Sequence, residues 1–250
     1  MDTIILHHGL MGGGLRFGPL KWSSFTGIER KIAAGGYRVV VSDVHPTAGI
    51  DTRARQLQKW ILANRRDWDD GRVLLVAHSL GGLDARYLLS KLEMAKHFDA
   101  LLTISTPHRG SPYADYWARH LGRKPAMRLL RELGLDLNAI FHSTTENCAK
   151  LNREIIDSSE VKYFSISASA PRWRVPPFAW HSWKVVFDAH GPNDGLVAAQ
   201  SAIWGKHLET WPVNHWQQIN PMPRTTRMRG DISPRYLAAI KSIMAELSAR

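Results

Sequence analysis

Apolar residues fall along the chain in short runs separated by amphipathic stretches. The runs occupy residues 3–7, 38–41, 73–77, 100–105, 161–167 and 184–187. Most are little broken by polar alternation, the pattern of strands buried on both faces of a parallel sheet. Between them, residues 27–34, 51–66 and 80–92 carry helical spacing. In the second of these, Ala54, Leu57, Ile61 and Leu62 share one face and leave Arg55, Lys59 and Arg66 on the other. Strand and helix alternate, so the pattern predicts a mostly parallel, doubly wound α/β sheet. Residues 143–146, Ser-Thr-Thr-Glu, read as a capping box. Ser233 before Pro234 predicts a hydroxyl-capped final helix running to about Ala249. Residues 169–181, with prolines at 171, 176 and 177 and tryptophans at 173 and 180, read as a packed loop. No repeat or low-complexity linker interrupts this order, and the length suits one domain over residues 1–250.

Composition then removes several function classes. No run of eighteen apolar residues is present, so no transmembrane segment is expected. Met1-Asp2-Thr3 leads straight into the first strand without the basic and apolar regions of a signal peptide, which predicts a cytoplasmic protein. Cys148 is the single cysteine, so an internal disulfide, a cysteine-based zinc site and a redox pair are all excluded. It reads as a small buried or helix-surface residue. Thirty-three Lys and Arg against twenty-two Asp and Glu give a formal charge of +11, which suits nucleic acid, anionic lipid or acidic substrates alike. The arginines are scattered, and no zinc-finger spacing, RNP-type motif or helix-turn-helix accompanies them, so nucleic acid is not an expected partner. Nothing in the pattern speaks to oligomeric state.

The most specific chemistry lies in residues 72–83, RVLLVAHSLGGL, a buried strand, a tight turn and a helix with Ser79 at the turn. That is the setting of a nucleophile elbow, where small residues two positions either side of the serine let strand and helix close on each other. Ala77 and Gly81 meet the need, with Ala77 standing where a glycine is usual. The first strand ends in His7-His8-Gly9-Leu10, followed by Gly12 to Gly14, and its loop belongs at the same edge of the sheet. A tetrahedral intermediate needs two N–H donors, and the backbone of Leu10 and Leu80 is placed to supply them. A phosphate cradle at the glycines fits less well, because no Lys-Ser or Lys-Thr follows and GxGxxG is not met.

With both motifs in hand, the chain resembles the bacterial triacylglycerol lipases of the Pseudomonas and Burkholderia type, and more loosely α/β-hydrolases in general. Four segments carry the likeness in order: HGL at residues 8–10, AHSLGGLDARY at 77–87, TISTPHRGS at 103–111 and NDGLV at 193–197. The resemblance implies the α/β-hydrolase fold, with Asp194 as the triad acid and His215, in residues 214–220 NHWQQIN, as the base. The residues agree as far as order goes, since the fold places its partners as serine, acid, base, and only His207 and His215 follow Asp194. His207 reads as a solvated surface histidine, and the segment match favours His215. Asp188 competes for the acid, but it follows the run 184–187 directly, whereas Asp194 sits in a turn-rich loop. His78, His108 and His190 read as structural.

The departures shape the expectation as much as the matches. Secreted members of that family bind calcium through an aspartate two residues after the histidine, and this position is Gln217. They often carry a disulfide, which one cysteine cannot form. The resemblance therefore implies a non-secreted relative without metal or other cofactor and without a dedicated secretion foldase. It also places a helical lid or cap insertion at about residues 113–142, where Trp117, Leu121, Leu129, Leu130, Leu133, Leu137, Ile140 and Phe141 interleave with Arg119, Arg123, Lys124, Arg128 and Arg131. A moving lid in transient contact with a lipid interface and a cap packed permanently on the core both fit this pattern. The expected activity is carboxylic ester hydrolysis, by a lipase or lipid-preferring esterase, through an acyl-enzyme. Acyl transfer or thioester cleavage by the same triad, and a non-catalytic binding protein on the same scaffold, are the alternatives.

Overall fold

The computed structural model describes residues 1–10, 12, 16–17, 20–21, 24–65, 68, 71–121, 138–220 and 230–249. Six strands form one sheet: β1 (Thr3–His7), β2 (Arg38–Val41), β3 (Val73–His78), β4 (Ala100–Ile104), β5 (Lys162–Ala168) and β6 (Lys206–Trp211). Their order is β2-β1-β3-β4-β5-β6, and every neighbouring pair is parallel. A separate two-residue ladder pairs Arg16–Phe17 with Leu20–Lys21. Among the described residues the helices are α1 (Ile28–Ala33), α2 (Ile50–Asn64), α3 (Gly81–Lys91), α4 (Pro112–Leu121), α5 (Asn138–His142), α6 (Thr145–Glu154), α7 (Trp180–His190) and α8 (Ser233–Ser248).

Alternate residues of the central strands face opposite layers, and both layers are apolar. Ile4, Leu6, Leu74 and Val76 pack with Ile28 and Ile32 of α1 and with Tyr236, Ile240 and Ile243 of α8. Ile5, Leu75 and Ala77 pack with Leu57 and Ile61 of α2 and with Leu88 and Leu89 of α3. Each such side chain contributes about 1.5–3 kcal/mol by burial, which is why the central runs tolerate so little polar alternation. The chain leaves β1 for β2 on one side and returns to β3 on the other, so the loops after β1 and β3 diverge. A crevice opens between them at the C-terminal edge of the sheet.

Several expectations are corrected. Residues 184–187 are not a strand; they lie in α7, where Ser182 and Val186 are buried four residues apart and Lys184 pairs with Asp188 at 2.7 Å. Asp188 is thus on an exposed helix face. The final strand, β6, was not expected, because its sequence KHLETW has only two apolar residues, three apart, on a half-exposed sheet edge and forms no apolar run. His207 lies on it, half-buried and 3.1 Å from the Ser167 hydroxyl, so it is only partly solvated. The box at 143–146 shifts by one residue: Thr144 is the N-cap of α6 and accepts from the Asn147 N–H, while Ser143 is tied back to α5 through the Ala139 carbonyl. At the last helix the Asp231 carboxylate, not the Ser233 hydroxyl, does the capping; it accepts from both the N–H and the hydroxyl of Ser233. Residues 169–181 hold two short 3-10 turns, Arg172–Arg174 and Pro177–Ala179, and the first residues of α7. Cys148 is buried in α6. Of the insertion at 113–142, α4 and α5 are seen, and residues 122–137 lie outside the described residues. Among the described residues no helix is long and apolar enough to cross a membrane.

Candidate active site

β3 ends on His78, and the chain turns at once into α3 with Ser79 between them. Ser79 has φ 55°, a left-handed conformation that costs a non-glycine residue energy and that lifts its side chain off the sheet. The turn is clamped from three sides: the Ser79 N–H donates to the Ile104 carbonyl at 2.8 Å, and the Ser79 carbonyl accepts from Gly82 N–H at 3.0 Å and from the Thr106 hydroxyl at 2.8 Å. Glycine is required here by space. A Cβ on Gly82 would stand 2.0 Å from the Thr106 Oγ1, and one on Gly81 2.8 Å from the His8 carbonyl oxygen. On the facing loop a Cβ on Gly9 would meet the Ser79 Cβ at 2.7 Å. The loop after β1 is therefore pressed against the elbow. Leu10 and Leu80 both border the cavity that holds Ser79, and among the described residues neither of their N–H groups meets a backbone acceptor.

The structure brings Ser79, His215 and Asp194 into one hydrogen-bonded line. His215 Nε2 lies 2.9 Å from the Ser79 Oγ, and its Nδ1 lies 2.7 Å from the Asp194 Oδ2. Asp194 is fully buried, and its other oxygen accepts from the Leu196 and Val197 N–H groups at 3.0 and 2.9 Å. Burial pushes its pKa up, but the charge and hydrogen bond of His215 and these two amides outweigh burial and hold it below the ordinary carboxylate value. Asn193 anchors the loop to α7 by donating to the Trp183 carbonyl, and Gly195 takes φ 110° beside Trp216. His215 is fixed through its backbone, whose N–H donates to the Asp194 carbonyl at 2.9 Å.

Two buried networks around this line were not anticipated. Gln218 donates to the Asp194 Oδ2 at 3.0 Å and accepts from His78 Nε2 at 3.1 Å. The His78 ring lies 4.7 Å from that of His215. Burial, and next the nearby His215, hold His78 well below the usual imidazole range, so it stays neutral and donates from Nε2. The second network lies beneath the β1 loop. Arg53 is fully buried on α2 and donates to the Asp84 Oδ2 at 2.7 Å, to the His8 carbonyl at 2.6 Å and to the His45 carbonyl at 2.5 Å. His7 completes it, with Nε2 at 3.0 Å from the same Asp84 oxygen and Nδ1 at 2.7 Å from the Ser42 hydroxyl. Arg53 had a signal in the sequence: it interrupts the apolar stripe Ile50, Ala54, Leu57, Ile61 on the buried side of α2. A charge on such a stripe asks for a buried partner. Gln218 had none beyond its distance of three residues from His215. His108 is buried against Thr103, as a structural histidine would be, and His190 sits at the end of α7.

The cavity has a volume of about 310 Å³ and apolar walls that include Tyr113 and Trp117 of α4, Ile140 of α5, Val197 and Trp216. A larger hollow of about 480 Å³, beside Trp68, His97 and Asp99, lies at the opposite edge of the sheet and contains no part of the Ser79 line. The residues do not fit the calcium site of secreted lipases. Gln217 stands at the aspartate position and its side-chain oxygen accepts from the Asn214 N–H at 3.1 Å.

The chain is similar to several known proteins. The model of the family described as "Putative serine esterase (DUF676)" matches residues 4–201, a span that ends before His215. "Triacylglycerol lipase 2" of Saccharomyces cerevisiae is 33% identical over 205 residues, which cover 78% of this chain and 61% of the yeast protein's length. "Triacylglycerol lipase" of Pseudomonas fragi is 28% identical over 270 residues, 90% of each chain. Among solved structures, a metagenomic carboxyl esterase superposes with a TM-score of 0.79 at 19% identity, over 99% of this chain and 75% of that one. The Staphylococcus hyicus lipase gives 0.75 at 15% identity, over 99% and 96%. At these identities the structural likeness shows the fold, which is that of the α/β-hydrolases.

Proposed function

We propose, since the chain belongs to this serine esterase family and is a serine hydrolase, that it cleaves carboxylic esters of lipids through an acyl-enzyme on Ser79. The observation that carries this reading is the unbroken line from the Ser79 hydroxyl through His215 to Asp194. His215 Nε2 takes the hydroxyl proton as Ser79 Oγ attacks the ester carbon, and Asp194 stabilises the imidazolium through Nδ1. Negative charge develops on the former carbonyl oxygen, where the Leu10 and Leu80 N–H groups receive it. The imidazolium then protonates the departing alcohol. Water, deprotonated by the same nitrogen, releases the acid and restores Ser79.

The apolar cavity receives the acyl chain. Its volume of about 310 Å³ is near the lower end of the range of ligand pockets, roughly 300–1,000 Å³, and suits one chain at a time. The finer placement, beside the Pseudomonas and Burkholderia lipases, rests on the four motif segments and on relatives named triacylglycerol lipase. Residues 113–142 act in this reading as a cap, since Tyr113, Trp117 and Ile140 wall the cavity. Replacing Ser79 with Ala is expected to lower kcat on a nitrophenyl ester by about a millionfold and to abolish labelling by a fluorophosphonate. A variant that turns over normally would remove Ser79 from the mechanism.

A further inference from the structure

Four large aromatic side chains close together in sequence stand out of the surface, and one of them touches a wall of the cavity. Trp173 is 73% and Phe178 75% exposed, and Trp180 and Phe187 are also exposed, all between positions 173 and 187. The backbone that presents them is pinned. Trp180 Nε1 donates to the Val175 carbonyl at 3.0 Å, Trp183 Nε1 to the Ala170 carbonyl at 2.9 Å, and Asn214 Nδ2 to the Arg174 carbonyl at 2.7 Å. Rings held outward by a fixed scaffold mark a surface that meets something apolar.

The segment that carries these rings holds arginine and lysine and no acidic residue before Asp188. The Arg172 guanidinium lies over the Trp180 ring and that of Arg174 over the Trp173 ring, each at 4.8 Å from the centroid. No Asp or Glu occurs between Glu160 and Asp188, and Asp188 is ion-paired with Lys184 at 2.7 Å. A second copy of this chain, which carries +11, would be repelled from such a patch. Aromatic rings interleaved with arginines fit the headgroup region of an anionic lipid layer, with rings at the level of the acyl boundary and guanidinium groups on phosphate. The patch also reaches the chemistry: Phe178 packs edge-on against Trp216 at 5.0 Å, and Trp216 lines the cavity of Ser79.

We infer that the face formed by residues 172–187 docks on a lipid surface bearing anionic headgroups and holds the mouth of the Ser79 cavity against it. This docking face is separate from the insertion at 113–142. It rests on the lipid-ester reading for its purpose, but its binding does not require turnover. The test therefore uses the full chain carrying Ser79→Ala, sedimented with vesicles of phosphatidylcholine containing phosphatidylglycerol and with vesicles of phosphatidylcholine alone. The inactive chain is expected to bind the first and not the second. Adding Arg172→Gln with Arg174→Gln should weaken binding roughly thirtyfold, and adding Trp173→Ser about tenfold. In the active chain the same changes should leave hydrolysis of a soluble nitrophenyl ester unaltered and slow hydrolysis of ester dispersed in the anionic vesicles. Undiminished binding by these variants, equal binding to neutral vesicles, or a dimer that Trp173→Ser dissociates would overturn the inference. None of these results bears on whether Ser79 is the nucleophile, which the soluble ester reads separately.

Discussion

The floor and the rim of the Ser79 cavity share one edge of the sheet but are held in opposite ways. On the floor two buried networks lie side by side, Arg53 and His7 bonded to Asp84 in one and His78, Gln218 and Asp194 bonded in line in the other. On the rim Trp173, Phe178 and Trp180 are exposed, with arginines stacked on two of the rings. Buried polar groups in a low-dielectric interior are expensive to leave unpaired, so each floor residue fixes the position of the next. Exposed side chains are fixed by little and change cheaply. On the proposed reading, the chemistry of the site rests on groups whose substitution is costly, and its contact with lipid on groups whose substitution is cheap.

Breaking the floor should have the largest effects. Asp194→Asn keeps the shape of the line but lets His215 take the wrong tautomer, and kcat on a soluble ester is expected to fall about ten-thousandfold with little change in KM. A loss comparable to that of a rim variant would show that another acid serves His215. Arg53→Met removes the cation that holds Asp84 and the His8 carbonyl, both buried, and should destabilise the fold by about 3–5 kcal/mol in urea titrations. Because the loop carrying Leu10 follows His8 by two residues, the same variant should lose kcat at temperatures where it is still folded. Full stability and full activity together would mean that the network does not position the loop.

Legibility in the sequence follows the same division. The elbow and the HGL loop were readable because the close approach of Gly9, Gly81 and Gly82 to neighbouring atoms leaves few residue types that fit, so a steric need is written into a short segment. The central strands were readable because both their faces are buried. Residues 184–187 misled because three apolar residues in a row after Lys184 suit either period, and on α7 Phe187 is an exposed ring stacked on Trp183, not a core residue. β6 escaped because an edge strand keeps polar residues. Gln218 and Asp84 were invisible as partners, since what makes them matter is a contact across more than twenty positions in the chain. Only Arg53, a charge on an apolar stripe, had announced itself locally.

Acid sharpens the comparison, because it attacks the floor and spares the rim. His7, His8, His78 and His108 are buried, and burial first of all lowers each below the ordinary value of 6.5, His8 to about 3. The unfolded chain takes up protons near pH 6.5 that the folded chain refuses. Stability is therefore full above that pH and falls below it, as each buried ring refuses a proton that the unfolded chain accepts. Asp194 acts lower. Its depressed value gives stability that is present above about pH 4 and lost as the pH falls through the folded value. Urea midpoints should accordingly fall steeply between pH 6.5 and 5, and a flat profile over that range would contradict the neutral, buried state of these rings.

The smallest of these effects, and the most discriminating, belongs to the turn at residues 214–220, where floor and rim meet. Trp216 faces the cavity and touches Phe178, whereas Gln218, two residues on, is buried between His78 and Asp194. Gln218→Leu keeps the volume, removes one donor from the Asp194 carboxylate and leaves the His78 Nε2–H without its acceptor. A hydrogen bond to a charged group contributes about 1.5–3 kcal/mol, so kcat should fall about 10- to 100-fold. The loss should fall on kcat and not on KM, because Gln218 holds Asp194 against His215 and does not line the cavity. A merely structural role would lower the urea midpoint and leave kcat of the folded variant unchanged. Binding to anionic vesicles should not change at all, since Gln218 reaches none of the exposed rings. A variant that lost vesicle binding together with kcat would show that the floor and the rim are one mechanical unit.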